Sequence, residues 1–218
     1  MAQDIEQDTQ QDSGQAAFWN RVAGRYAAMP MRNPDAWEAT LARTGARLAA
    51  SDDVLEIGCG TGSTALRLAP LVARYIATDD AAGMIAVASD RLAETPVASL
   101  HPLQARPGDG SLPDGPFDAI LAFNLLHLLA DLPAALADCH ARLRPGGLLI
   151  TKTPCLGGPW RMLWPLVRTL GFLGKAPPLR FVSTATLERT ITGAGFVIED
   201  RDDLPRRPPS RFVIARRP

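Results

Sequence analysis

Five consecutive residues carry the strongest chemical signal in the chain: Gly58-Cys59-Gly60-Thr61-Gly62, placed directly after the apolar run Val54 to Ile57. Glycine is needed where a backbone turns tightly and where a ligand must approach it closely. A strand running into such a loop and then into a helix offers free N–H groups and a positive dipole end to a ligand. The spacing is GxGxG, one residue shorter than the GxGxxG of dinucleotide-binding loops, and the GxxxxGK of a P-loop is absent. Asp79 ends a second apolar run, RYIATD, 17 residues beyond Gly62. In a parallel sheet it sits beside the glycine loop, where its carboxylate can accept the hydroxyl hydrogens of a ribose. Asp79 or Asp80 can instead cap the following helix; ribose binding is assigned to Asp79, and Asp80 reads as a surface or capping residue.

The elements that position these residues alternate. After helical spacing from Phe18 to Leu48 come Val54–Ile57 (strand), 62–71 (helix), 74–79 (strand), 81–92 (helix), 100–105 (a weaker strand), 117–123 (a buried strand), 133–143 (helix) and 148–153 (strand). Such alternation implies βαβ units, right-handed crossovers and a parallel sheet covered on both faces. The last quarter differs: a helix over 185–192 leads to GFVIED, a proline-rich loop and RFVIAR, two strands that pair antiparallel at a sheet edge. The expected fold is α/β, a Rossmann-like doubly wound sheet of seven strands, mostly parallel with an antiparallel C-terminal hairpin. Residues 1–17 read as a disordered polar tail, and 18–218 as a single domain with an N-terminal helical lid over 18–50 and an apolar insertion over 156–182.

Composition narrows the function classes. Lys plus Arg equals Asp plus Glu at 23 each, which gives no support to a nucleic-acid binder. The arginines at 206, 207, 211, 216 and 217 read as a solvated edge. Cys59, Cys139 and Cys155 have neither metal-ligand spacing nor a disulfide framework, so no metal is expected and reduced thiols in a cytoplasm fit. The N-terminus lacks the apolar core of a signal peptide, and no apolar run approaches the roughly 20 residues of a membrane span.

Taken jointly, these motifs resemble the class I S-adenosylmethionine-dependent methyltransferases. The resemblance rests on LEIGCGTG with Glu56 before the glycines, on ATDDAAGM with Asp79 followed by Met84, on Pro145-Gly146-Gly147 before a strand, and on Ala194-Gly195-Phe196 before the final hairpin. It runs from about Phe18 to the C-terminus and looks most like the branch holding ubiquinone and menaquinone biosynthesis methyltransferases. It implies S-adenosylmethionine as cofactor and S-adenosylhomocysteine as product. Carried over, Gly58, Gly60 and Gly62, with Cys59 among them, line the methionine side. Glu56 approaches the amino group or orients the loop, Asp79 holds the ribose with Asp80 beside it, and Met84 lies near the adenine. Asn124 contacts the cofactor from beneath, and Tyr26 closes over the methionine end. Where the family often has an acidic residue for the adenine amino group, this chain has Arg106; either Asp109 substitutes or the backbone of Ala105 and Arg106 holds the base.

Methyl transfer from a sulfonium needs alignment and exclusion of water rather than a protein nucleophile. If the acceptor is a hydroxyl or amine, a general base helps, and His127 is the candidate; a packed helix histidine is the equal alternative, and neither His101 nor His140 has a role. The acceptor is expected to be small and apolar or aromatic. The run from Trp160 to Leu173, with Trp160 and Trp164, is either a lid forming an apolar acceptor pocket and touching a membrane surface, or a helix covering the sheet as core. The rival functions are a protein methyltransferase, a catalytically silent cofactor-binding or regulatory protein, and an NAD-dependent oxidoreductase, which GxGxG disfavours. Oligomeric state, acceptor and pathway are not legible at this level.

Overall fold

The computed structural model describes residues 2–157, 162, 169 and 180–218, with side chains from Gly14 onward. Two helices open the chain, α1 (Ala2–Ala27) and α2 (Pro34–Gly45). They are followed by β1 (Asp53–Ile57), α3 (Ser63–Leu68), β2 (Arg74–Asp79), α4 (Ala82–Glu94), β3 (Leu100–Gln104), β4 (Phe117–Phe123), α5 (Leu132–Arg142) and β5 (Leu143–Pro154). Beyond residue 180 lie α6 (Thr184–Gly193), β6 (Val197–Arg206) and β7 (Pro209–Arg216).

The seven strands form one sheet in the order β3-β2-β1-β4-β5-β7-β6. The first five are parallel, with Leu55 opposite Ile76 on one side and Ile120 on the other. β7 runs antiparallel to both β5 and β6, pairing Ile150 with Ile214 and Asp202 with Phe212. The expected doubly wound sheet is therefore present.

The period of two along each strand divides the core. Leu55, Ile57, Ile120, Leu149 and Val213 face α5 and α6, burying Leu136 and Leu187. Val54, Tyr75, Leu121, Ile150 and Phe212 face the other way, onto Leu41 of α2 and Leu68 of α3. Strand order reverses between β1, which continues to β2, and β4. A crevice at the carboxyl ends of strands at such a switch point is where open α/β sheets bind ligands.

Several expectations are revised. α1 packs Trp19 and Ala23 of its later turns on Ala81 and Met84. The helix after the glycine loop is shorter than 62–71: α3 stops at Leu68 and a 3-10 turn, Ala69–Leu71, completes it, because Pro70 lacks the N–H that helical continuation requires. The proline-rich loop is a tight turn, since β6 extends to Arg206 and β7 begins at Pro209. The C-terminal arginines are not simply solvated: Arg211 lies 3.3 Å from Glu188, Arg216 pairs with Glu199, and Arg217 donates to the carbonyl of His140 at 2.8 Å. The edge strand β6 is tied to α2 by Arg43, which bonds Asp200 at 2.6 Å and Asp202 at 2.9 Å. Charge on an edge strand also discourages pairing with another chain.

Candidate active site

The glycine loop leaves β1 with Gly58, Gly60 and Gly62 all at positive φ, 68°, 55° and 75°. Their surroundings differ. A Cβ on Gly58 would meet Leu125 at 2.7 Å, and one on Gly62 would meet the Cβ of Ala88 at 2.9 Å, whereas one on Gly60 would meet nothing within 4 Å. Gly58 and Gly62 thus let the loop pack against the β4 exit and α4. Gly60 leaves an open concavity.

Asp79 organises that concavity. Gly60 N–H donates to its Oδ2 at 2.9 Å and Ala81 N–H to its Oδ1 at 2.9 Å, while its backbone carbonyl accepts from Ala105 N–H at 3.2 Å. One residue therefore joins the β1, β2 and β3 exits. Each carboxylate oxygen has a second lone pair that a ribose hydroxyl can use. Burial raises the pKa of Asp79, opposed by its two backbone N–H donors.

Glu56 lies one pleat behind the loop, buried in β1, with its Oε2 accepting from Tyr75 Oη at 2.8 Å. Burial pushes its pKa up to about 7, the Tyr75 hydrogen bond opposes that shift, and the charge of Asp79 adds to it. Burial also raises the Cys59 thiol well above its ordinary value, which disfavours the thiolate.

Around the β3 exit, Arg106 donates to Asp109 Oδ2 at 3.0 Å and lies 3.9 Å from Asp80. Asp109 also accepts from the N–H and hydroxyl of Ser111, and against the effect of burial these bonds and the Arg106 guanidinium hold its carboxyl below the ordinary range. Asp80, Arg106 and Asp109 thus form one half-buried cluster beside Ala105. Met84 is buried between α1 and α4, and Tyr26 is half exposed, its ring edge-on to Trp19.

At the β4 exit Asn124 is the one described non-glycine residue at positive φ, 55°, and its N–H donates to the Lys152 carbonyl at 2.7 Å. This kink exposes Asn124 and returns the chain through the turn holding His127. His127 is buried with an unpartnered Nδ1, and burial pushes its pKa down to about 4. Burial therefore favours the neutral imidazole. Trp160 and Trp164 lie outside the described residues. No group of acidic, His and Cys side chains able to hold a metal occurs among the described residues, and no described helix is long and apolar enough to cross a membrane.

A methyltransferase-domain family model matches residues 55–149, the span from β1 to the middle of β5. Malonyl-[acyl-carrier protein] O-methyltransferase of Serratia marcescens is 31% identical over 150 residues, covering 69% of this chain and 56% of that protein. The clavatol synthase of Penicillium crustosum is 35% identical over 117 residues, 49% of this chain but 4% of its own. These matches support a class I methyltransferase, and the chain spans just over half the length of the bacterial relative. A solved S-adenosylmethionine-dependent methyltransferase from Thermotoga maritima superposes with a TM-score of 0.70 at 20% identity, covering 93% of this chain and 99% of its own. One from Aquifex aeolicus gives 0.65 at 16% identity, over 82% and 89%; at these identities the likeness concerns the fold.

Several residues that position the site escaped the sequence reading. Arg91 on α4 donates from Nη1 to Thr61 Oγ1 at 2.9 Å and Ser63 Oγ at 2.7 Å, and from Nη2 to the Ala27 carbonyl at 2.9 Å. It clamps the glycine loop to the end of α1. α1 is held also by Asn20, which accepts from Gly83 N–H at 2.7 Å, and by Gln15, which donates to the Leu128 carbonyl. Tyr75 supports Glu56, and Lys152 is a cation buried in β5. An arginine 29 residues after the loop, a tyrosine in an apolar strand and a lysine ending another carry no motif. Only folding brings them in.

Proposed function

We propose that this protein transfers a methyl group from S-adenosylmethionine to a small, apolar or aromatic acceptor by in-line displacement. The observation that carries this reading is the Gly60–Asp79 pair. The one glycine of the loop with open space beside it is fixed by the one carboxylate placed to take a ribose, so binding surface and polar anchor form a single hydrogen-bonded unit.

Bound there, S-adenosylmethionine would supply a sulfonium-activated methyl group. Gly60 and its neighbours would take the methionine portion, Asp79 the ribose, and the Ala105–Arg106 backbone, flanked by Asp80 and Asp109, the adenine. Glu56 fits the role of holding the loop from behind better than that of direct contact, since Tyr75 occupies one of its oxygens. Asn124 lines the β4 side, and α1, strapped at Gln15, Asn20 and Ala27, covers the crevice with Tyr26 at its end. That cover limits water around the reacting atoms, and alignment of this kind supplies up to about 7–11 kcal/mol in favourable cases.

The test is calorimetric titration with S-adenosylhomocysteine, followed by transfer of labelled methyl into a fractionated cell extract. Binding of the product that Asp79→Ala weakens at least tenfold, with label in the organic-soluble fraction, is the expected result. Unchanged affinity in Asp79→Ala removes the ribose assignment, and label confined to protein removes the small-molecule acceptor.

A further inference from the structure

Lys152 is the one lysine with a described side chain, and it is only 8% exposed. It sits two residues from the end of β5, opposite Phe123 of β4, with its carbonyl holding the exposed Asn124. Its ammonium has one hydrogen bond, 3.3 Å to the carbonyl of Ala36 in the first turn of α2. That carbonyl already accepts from Thr40 Oγ1 at 2.6 Å, so the lysine shares a weak acceptor. No carboxylate lies within ion-pair distance of Nζ among the described residues, although the arginines at 43, 67 and 74 all have one.

Such an arrangement is unfavourable by itself. A buried ammonium with two unused donors retains much of its desolvation cost. The first turn of α2 carries the positive pole of the helix, so beyond that one carbonyl it offers the cation no compensation. An anion reaching the two unused Nζ donors would relieve that cost. The charge pattern agrees: from Cys139 to Leu187 the chain has seven Lys and Arg and no Asp or Glu, whereas the whole chain balances 23 against 23. No acidic side chain of the segment following β5 can neutralise Lys152.

We infer that Lys152 binds a carboxylate of the methyl acceptor, so that the acceptor is an apolar or aromatic carboxylic acid rather than a neutral compound. This rests on the proposed methyl transfer and names its substrate class. The acid group sits over the β4–β5 exits against the two unused Nζ donors, on the side of Asn124 away from Asp79.

The experiment is calorimetry on the full chain saturated with S-adenosylhomocysteine, using octanoate, dodecanoate and 3-phenylpropionate, each beside its primary amide. The expected result is at least one acid bound tenfold or more tightly than its amide. Lys152→Met should then abolish that preference and leave S-adenosylhomocysteine affinity within twofold, and Lys152→Arg should keep part of it. If Lys152→Met loses S-adenosylhomocysteine binding through misfolding, Lys152→Gln makes the same comparison. A ratio below tenfold for all three pairs, or a preference that survives loss of the cation, overturns the inference. Failure of the wild-type protein to bind S-adenosylhomocysteine at all would instead sink the methyltransferase reading, so the two failures are distinct.

Discussion

Tyr75 donates its phenolic hydrogen to Glu56 across the β1–β2 pair, 2.8 Å from oxygen to oxygen, with both side chains buried. The bond sits directly behind the glycine loop, and no solvent competes with it. Removing the hydroxyl leaves Glu56 without its side-chain donor. Tyr75→Phe should therefore destabilise the fold by about 1–3 kcal/mol, the usual cost of an orphaned buried polar group. Denaturant melts would show it, and unchanged stability would mean that Glu56 is satisfied without Tyr75.

Glu56 and His127 should impose opposite pH dependences. Glu56 has a folded pKa of about 7 against an ordinary 4.5, so its contribution is full below pH 4.5 and lost as pH rises to 7. His127 has a folded pKa of about 4 against 6.5, so its contribution is full above pH 6.5 and lost as pH falls to 4. Between pH 4.5 and 6.5 the two slopes, each about 1.4 kcal/mol per pH unit, nearly cancel. Glu56→Gln should leave stability rising with pH in that window, and His127→Asn should leave it falling. Parallel curves for both variants and the wild type would refute the assignment.

Gly60 and Gly62 should separate binding from stability. Gly60→Ala strains a positive φ but meets no atom, so a loss of about 1 kcal/mol is expected. Its methyl group fills the cofactor concavity, and S-adenosylhomocysteine affinity should fall at least tenfold. Gly62→Ala also drives a Cβ to 2.9 Å from Ala88, which should cost about 2–4 kcal/mol. Equal melting shifts for the two variants would contradict this division.

Arg91 should govern how firmly α1 covers the site. Arg91→Ala frees Thr61, Ser63 and the Ala27 carbonyl together. Cleavage within α1 by a protease at low concentration should accelerate severalfold, and S-adenosylhomocysteine should protect less well than in the wild type. Cleavage at an unaltered rate would show that Asn20, Gln15 and the Trp19 packing hold the helix alone.

Much of this protein was determined locally. VLEIGCGTG places a buried strand, positive-φ glycines and a helix start within nine residues, and each follows from side-chain type alone. Asp79 was legible because parallel strands separated by a helix put consecutive carboxyl ends side by side. The antiparallel final pair was legible too, since too few residues separate the strands for a crossover.

Tertiary structure decided the rest. Insertion of β7 between β5 and β6, rather than the reverse, depends on burying Phe212, Val213 and Ile214 on both faces while β6 keeps its charges at the edge. Which glycine of the loop faces a ligand depends on Leu125 and Ala88, which lie far away in sequence. Arg91, Tyr75 and Lys152 acquire their positions from helix docking and strand register, and their neighbours in the chain carry no sign of it. Sequence pattern reports the period of an element and the conformational needs of its backbone. It does not report which distant atoms fill the space beside a residue, and that space separates a packing glycine from a binding one and a surface lysine from a buried one.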